Sequence, residues 1–187
     1  MFMMKTKIIL ATGIGLAALA LGTSCSSIPK LAVPVNNFDA GRYLGTWYEI
    51  ARFDYRFEKN LDNVTARYTQ MENGEIGVMN MGYNYKTNEW KSARGIAKFR
   101  RNKQTAALKV SFFKPFYAGY NVIAIDEDYR YALVAGKNLK YLWLLSREKT
   151  MPDPVKDDYL KKAEAIGYDT TKLIWVKQDK DQPSLNP

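Results

Sequence analysis

The chain has 187 residues, which suits a single domain and is long enough to bury a substantial core. It contains no histidine and one cysteine. These counts exclude Ser-His-Asp and Cys-His catalysis, histidine-based zinc sites and an intramolecular disulfide. They favour a protein that is not an enzyme and that holds no metal or cofactor. The formal net charge is +9. Because the charges are scattered along the chain, they favour a solvated surface over a nucleic-acid site.

Residues 1–24 are typical of a lipoprotein signal peptide. Two lysines precede an apolar run, Ile8–Leu21, which is too short to cross a bilayer as a helix. The only cysteine, Cys25, follows small residues, as at a lipoprotein cleavage site, although Leu21 stands one position farther away than is usual. We expect Cys25 to carry the lipid that anchors the chain to a membrane. The alternative is ordinary secretion with cleavage near Ala20 or Ser24.

The rest of the chain is predicted to be one barrel domain, residues 37–178, between a tether at 25–36 and a polar tail at 179–187. Apolar and polar residues alternate over eight segments that are separated by turn residues. A helical pattern begins around residues 151–154 and ends at Gly167. The predicted class is all-β: an eight-stranded antiparallel up-and-down barrel with one C-terminal α-helix packed outside. The predicted strands are Gly45–Phe53, Asn63–Met71, Glu75–Asn84, Glu89–Phe99, Ala106–Phe112, Tyr117–Ile125, Tyr131–Ala135 and Tyr141–Arg147.

Three short motifs occur in order along these strands. Gly45-Thr46-Trp47 opens the first strand, the acidic stretch 126–130 follows the sixth, and Arg147 closes the eighth. Together they resemble the signature of the lipocalins, and residues 37–178 are most similar to the bacterial lipocalins anchored to the outer membrane. The resemblance implies that Trp47 lies inside the closed end of the barrel with Arg147 across its indole. It also implies an envelope protein that carries or stores fatty acids or lysophospholipids for membrane maintenance.

The inward-facing residues can be predicted by counting along each strand from Trp47 and Arg147, because alternate residues of a barrel strand point inward. Several inward positions are small, which favours a narrow apolar cavity over a core filled by its own side chains. On the sixth strand Ala124 is also expected inside, and the helix would then cover Ile123 and Ile125. The predicted ligand-binding residues are Ala51, Phe53, Ala66, Val78, Asn80, Ala97, Leu108, Val110, Phe112, Tyr120, Val122 and Trp143.

The two ends of the predicted barrel differ in charge and in aromatic content. The loops at the open end sum to +4 and those at the closed end to −1. The open end also carries aromatic residues that look exposed, which are Tyr55, Phe57, Phe113, Phe116 and Tyr117. An apolar slot with a cationic, aromatic rim suits an anionic or zwitterionic lipid with a single acyl chain. The rim aromatics could instead seat the barrel on a membrane or form a homodimer face.

Two rival functions remain open at the level of sequence. The first is an enzyme acting on small lipid or isoprenoid substrates. Glu49 would be its general acid or base, because an inward carboxyl in an apolar barrel has a raised pKa. The structural interpretation pairs Glu49 with a nearby arginine or tyrosine instead. The second rival is an envelope scaffold whose barrel is filled by side chains.

Overall fold

The computed structural model describes residues 27–183, and nine strands form one continuous antiparallel sheet within them. β1 pairs with both β2 and β8, so the first eight strands close into a barrel, and β9 adds to β1 on the outside. The predicted all-β barrel is therefore confirmed. The predicted signal peptide and Cys25 lie outside the described residues. The strands are β1 Gly45–Phe53, β2 Leu61–Gln70, β3 Ile76–Asn84, β4 Glu89–Phe99, β5 Ala107–Phe113, β6 Phe116–Ile125, β7 Tyr131–Ala135, β8 Leu142–Ser146 and β9 Leu173–Trp175.

Two α-helices accompany the barrel within residues 27–183. The short α1, Ala40–Tyr43, is capped by Asp39, whose carboxylate accepts from the amide of Gly41 at 2.8 Å. The longer α2, Asp153–Ile166, follows Pro152 and ends at Gly167, which adopts φ 104°, as the sequence predicts. Within residues 27–183 no helix has the length and apolarity needed to span a bilayer.

The apolar residues form two cores on opposite sides of the sheet. The inner core fills the barrel toward its closed end. Its members include Trp47, Tyr68, Val78, Leu108 and Val122. The outer core lies between the barrel wall and α2, which contributes Tyr159 and Ala163. Strands β7 and β8 are buried on both faces, because one face lines the barrel and the other contacts the helix.

Bulges in β1 and β6 reverse the inward-outward alternation. In β1 the pairing with β8 shifts between Glu49 and Ala51, and in β6 the pairing with β7 shifts between Val122 and Ala124. A bulge inserts one residue, so the side chains beyond it point to the opposite face. The prediction that Ala124 faces inward is therefore wrong. Ala124 belongs to the outer core, whereas Ile125 packs against the inner one.

Both ends of the described chain pack onto the barrel wall. Val35 donates its amide to the carbonyl of Val122, and Ala32 is buried in the outer core. Residues 27–36, which belong to the predicted tether, are therefore held against the sheet. At the other end, residues 179–182 bind β2, where Asn63 accepts from the amide of Lys180 at 2.7 Å. The predicted polar tail is thus attached over its described part.

Candidate ligand-binding site in the barrel

Trp47 and Arg147 meet at the closed end, although a hundred residues separate them in sequence. The guanidinium carbon of Arg147 lies 3.9 Å from the centroid of the Trp47 ring, which is a cation–π contact. Trp47 is completely buried and donates its indole N–H to the carbonyl of Tyr43 at 2.9 Å. Gly45 adopts φ 93°, and a Cβ there would lie 3.3 Å from Arg147. The three signature residues therefore close the barrel floor, as the resemblance implies.

Three tyrosines form a hydrogen-bonded cluster above this floor. The hydroxyl of Tyr120 lies 2.6 Å from that of Tyr43 and 2.7 Å from that of Tyr68. Burial raises the pKa of all three phenols above the usual value near 10. They therefore remain neutral and supply O–H groups inside an otherwise apolar space. Tyr120 is one of the predicted ligand-binding residues, whereas Tyr43 and Tyr68 are not among them.

A charged cluster is buried in the barrel wall beside the β1–β2 loop, which lies at the open end, or mouth, of the barrel. Arg52 donates to Glu49 at 3.0 Å and lies 3.6 Å from a carboxylate oxygen of Glu58, and all three side chains are buried. The Trp143 indole N–H donates to Glu58 at 3.3 Å. Burial, reinforced by the charge of Glu58, holds the pKa of Glu49 well above its ordinary value. One cation thus faces two carboxyls, and a proton on Glu49 makes the cluster neutral.

Small residues occupy inward positions in the middle of the barrel. Asn80 pairs with Ala66 on β2 and with Ala93 on β4, and Val78 pairs with Gly95. Ala93 is exposed although it shares the inward-facing side of the strand, so the interior is open to solvent at this level. The Oδ1 atom of Asn80 is buried and has no hydrogen-bond partner among the described residues. It is therefore an unpaired acceptor within an otherwise apolar part of the barrel.

Most of the predicted ligand-binding residues lie on the inner face. Ala66, Val78, Ala97, Leu108, Val110, Tyr120, Val122 and Trp143 belong to the inner core or pack against it. Phe112 lies closer to the mouth, where its ring borders Gly95.

Ala51 and Phe53 were predicted inside, and that placement is wrong. Both belong to the outer core because the β1 bulge reverses the strand after Glu49. The same bulge brings Arg52 to the buried cluster. The alternation in the sequence carries no mark of the bulge, so Arg52 and Glu58 were missed as members of the site.

The mouth residues divide into packed and exposed groups. Tyr55 was expected to be exposed, but its ring packs edge-on against Tyr141 and Trp143 at 5.6 and 5.7 Å. Phe57, Phe113 and Phe116 are exposed as predicted. Within residues 27–183 no group of three acidic or cysteine side chains is placed to hold a metal ion.

Comparisons with known proteins agree with this geometry. A family model described as a lipocalin-like domain matches residues 38–178. The outer membrane lipoprotein Blc of Citrobacter freundii is 54% identical over 87% of this chain and 92% of its own length. The Vibrio cholerae protein of the same name is 44% identical over 82% and 91%. Mouse apolipoprotein D is 33% identical over 94% and 96%.

Solved structures show the same fold at low sequence identity. Insecticyanin from the tobacco hornworm superposes with a TM-score of 0.64 at 21% identity, covering 78% of this chain and 84% of that one. The cockroach allergen Per a 4 gives 0.63 at 20% identity, covering 81% and 95%. The family model, the identities to these relatives and the shared barrel show that the chain belongs to the lipocalin family.

Proposed function

We propose that this protein is an outer-membrane lipoprotein that carries or stores fatty acids or lysophospholipids in its barrel, in support of membrane maintenance. The observation that carries the proposal is the open interior at mid-barrel, where the small inward residues Ala66 and Ala93 flank Asn80, whose buried amide oxygen has no hydrogen-bond partner. Relatives at 44–54% identity carry the name outer membrane lipoprotein, and that name supports the location. Cys25 would provide the membrane anchor.

The proposed cargo has one acyl chain and a polar end. Below Asn80, the inner core supplies apolar walls through Val78, Leu108 and Val122, so a single hydrocarbon tail is the matching chemical group. The Asn80 amide and the phenol of Tyr120 can hydrogen-bond a carboxyl, a hydroxyl or a phosphate ester. Ala51 and Phe53 face the outer core and do not line the cavity.

The direct test is a titration with oleate and with lysophosphatidylcholine. Trp143 lies partly buried at the cavity wall, so its fluorescence should change on binding, and a Trp143→Phe variant should remove the signal. We expect Ala66→Phe to weaken binding at least about tenfold, because the ring fills space between Trp47 and Asn80. Arg67→Phe is the matched control, since Arg67 is exposed on the other face of the same strand. Equal affinities in both variants would place the ligand elsewhere.

The alternative functions give different outcomes in one further experiment. Native mass spectrometry of protein purified without detergent should retain a lipid, and extraction should return that lipid chemically unchanged. An altered lipid would favour the enzyme alternative that uses Glu49. The hydrogen bond from Arg52 to Glu49 instead supports a structural role for this carboxyl. No retained lipid and no response to oleate would favour the filled-barrel scaffold.

A further inference from the structure

Each of the four loops at the open end presents an exposed apolar side chain. Phe57 in the β1–β2 loop is 71% exposed, and Tyr85 and Leu139 project from the β3–β4 and β7–β8 loops. Phe113 and Phe116 flank the β5–β6 turn and are 72% and 78% exposed. By contrast, the three hairpin loops at the closed end expose one large apolar side chain among the described residues, Met71. The exposed apolar groups are therefore concentrated at the mouth.

The same four loops are strongly cationic at their surface. They carry one exposed aspartate, Asp54, against six exposed lysine and arginine side chains. The one other carboxylate of these loops, Glu58, is buried against Arg52. The six cations are Arg56, Lys59, Lys86, Lys114, Lys137 and Lys140.

We propose that the mouth is a membrane-docking surface, formed by the tips of the four loops at residues 54–60, 85–88, 113–116 and 136–141, which binds an anionic lipid bilayer directly. Phenylalanine rings at a loop tip bury apolar area among headgroups and upper acyl chains. Lysine and arginine side chains around them attract anionic headgroups, and this attraction weakens with salt. The mouth combines both features and encloses the cavity opening. A bound membrane would therefore face the route by which a lipid enters the barrel.

The path of the N-terminal segment is compatible with this orientation. Ser27, the first described residue, packs against Gly119 in the middle of β6, where a Cβ would overlap its carbonyl. Gly119 is three residues from Phe116, a span of about 10 Å along a strand. The anchor residue Cys25 precedes Ser27 by two residues, and such a span covers at most about 7 Å. A lipid on Cys25 and the aromatic hairpin can therefore reach the same bilayer.

The test uses the chain from residue 26 onward, which contains every described residue and no cysteine. Binding is measured by co-sedimentation with vesicles of phosphatidylcholine containing phosphatidylglycerol. We expect Phe113→Ser/Phe116→Ser to weaken vesicle affinity about tenfold or more, because two rings no longer enter the bilayer. Leu31→Ser/Val33→Ser is the matched control, since it also removes two exposed apolar side chains but lies away from the mouth. Raising the salt concentration should weaken binding of the parent chain.

A second measurement reports orientation. Because this chain lacks cysteine, Lys114→Cys and Lys103→Cys can each be labelled with an environment-sensitive NBD dye. Vesicles should shift the emission to the blue at position 114, on the mouth hairpin, and leave position 103, at the closed end, unchanged. An oleate titration of Phe113→Ser/Phe116→Ser separates membrane docking from the proposed binding of a lipid in the barrel. This variant should keep its affinity for oleate while its affinity for vesicles falls.

Three outcomes would overturn docking through the mouth. The first is unchanged vesicle affinity in Phe113→Ser/Phe116→Ser, and the second is an equal dye response at positions 103 and 114. The third concerns oligomeric state. The parent chain could sediment as a dimer and Phe113→Ser/Phe116→Ser as a monomer, with the same vesicle affinity for both. The mouth would then be an interface between copies of this chain.

Discussion

Arg147 connects four backbone carbonyls at the closed end while its guanidinium covers Trp47. Its donors reach the carbonyls of Arg42, Leu44, Thr46 and Tyr129 over 2.7–3.2 Å. These acceptors belong to the segment that enters β1 and to the loop before β7. The residue therefore joins parts of the chain that lie far apart in sequence, and its planar fork suits that task better than a point charge does.

We expect Arg147→Lys to lower the free energy of unfolding by about 2 kcal/mol or more, because lysine keeps the charge but loses the planar face and several donors. Urea unfolding followed by circular dichroism measures the change. Arg130→Lys is the control, since Arg130 is exposed and its guanidinium lies 5.5 Å from the Tyr131 ring. Its effect should stay within about 0.5 kcal/mol. Similar losses in both variants would contradict the assignment of Arg147.

Glu49 should make stability depend on pH in an unusual direction. Burial raises the pKa of its carboxyl well above the ordinary value of 4.5, so the native state holds a proton that the unfolded state releases. The free energy of unfolding should therefore fall as pH rises from about 4.5 toward the native pKa. We expect Glu49→Gln to reduce this fall, because an amide is neutral at every pH, while Glu58, whose pKa is also raised by burial, still titrates.

Glu75→Gln provides the opposite control for the same pH series. Lys98 donates to Glu75 and lowers the pKa of this half-buried carboxyl. The ionised Glu75 carboxylate stabilises the folded protein above pH 4.5. This stabilisation is lost as the pH falls through the pKa of Glu75 in the native state. Chemical denaturation between pH 4 and 9 should show the two variants departing from the parent in opposite directions. If Glu49→Gln leaves the pH dependence unchanged, the buried carboxyl is not protonated in the folded protein.

At the scale of elements, α2 and the bulged strands together form the outer core. The bulge in β1 directs Ala51 and Phe53 toward the helix side, and the bulge in β6 does the same for Ala124. The helix contributes Ala163, which is fully buried, where a small side chain allows close approach to the sheet. The packing of α2 is thus set by strand residues that simple alternation assigns to the cavity.

We expect Ala163→Leu to lower the free energy of unfolding by about 1–3 kcal/mol, because three added carbons must fit into a filled interface. Ala165→Leu adds the same group on the exposed face of α2 and should be nearly neutral. Thermal unfolding compares the two variants. Affinity for oleate should be unchanged in both, because the outer core lies on the far side of the barrel wall. A large loss of oleate binding in Ala163→Leu would mean that the ligand occupies the outer side.

At the scale of the whole molecule, the described ends of the chain fasten the barrel rather than extend from it. Asn63 is buried in β2, and its side chain donates to Asp179 and accepts from the amide of Lys180. Gln182 adds a hydrogen bond to Thr65 at 2.7 Å. The segment from residue 179 therefore covers polar groups on β2 that would otherwise be unpaired.

Removing residues 179–187 should destabilise the barrel by about 1–3 kcal/mol, because the buried side chain of Asn63 loses its partners. Urea unfolding measures the difference. A truncation that removes 184–187 alone is the matched control, since every hydrogen bond described for this segment is retained. Equal stability of the two truncations would show that these contacts contribute nothing.

The sequence by itself determined the fold class, the positions of the eight barrel strands to within two residues, and the pairing of Trp47 with Arg147. Local alternation and turn residues carry the first two, and the family motifs carry the third. The tertiary structure alone decided which residues face the cavity beyond the two bulges. An inserted residue changes the face of every later side chain in a strand without changing its composition, and this moved Ala51, Phe53 and Ala124 outward. The tertiary structure also decided that residues 27–36 and 179–182 attach to the barrel, because their partners are polar groups and carbonyls on distant strands.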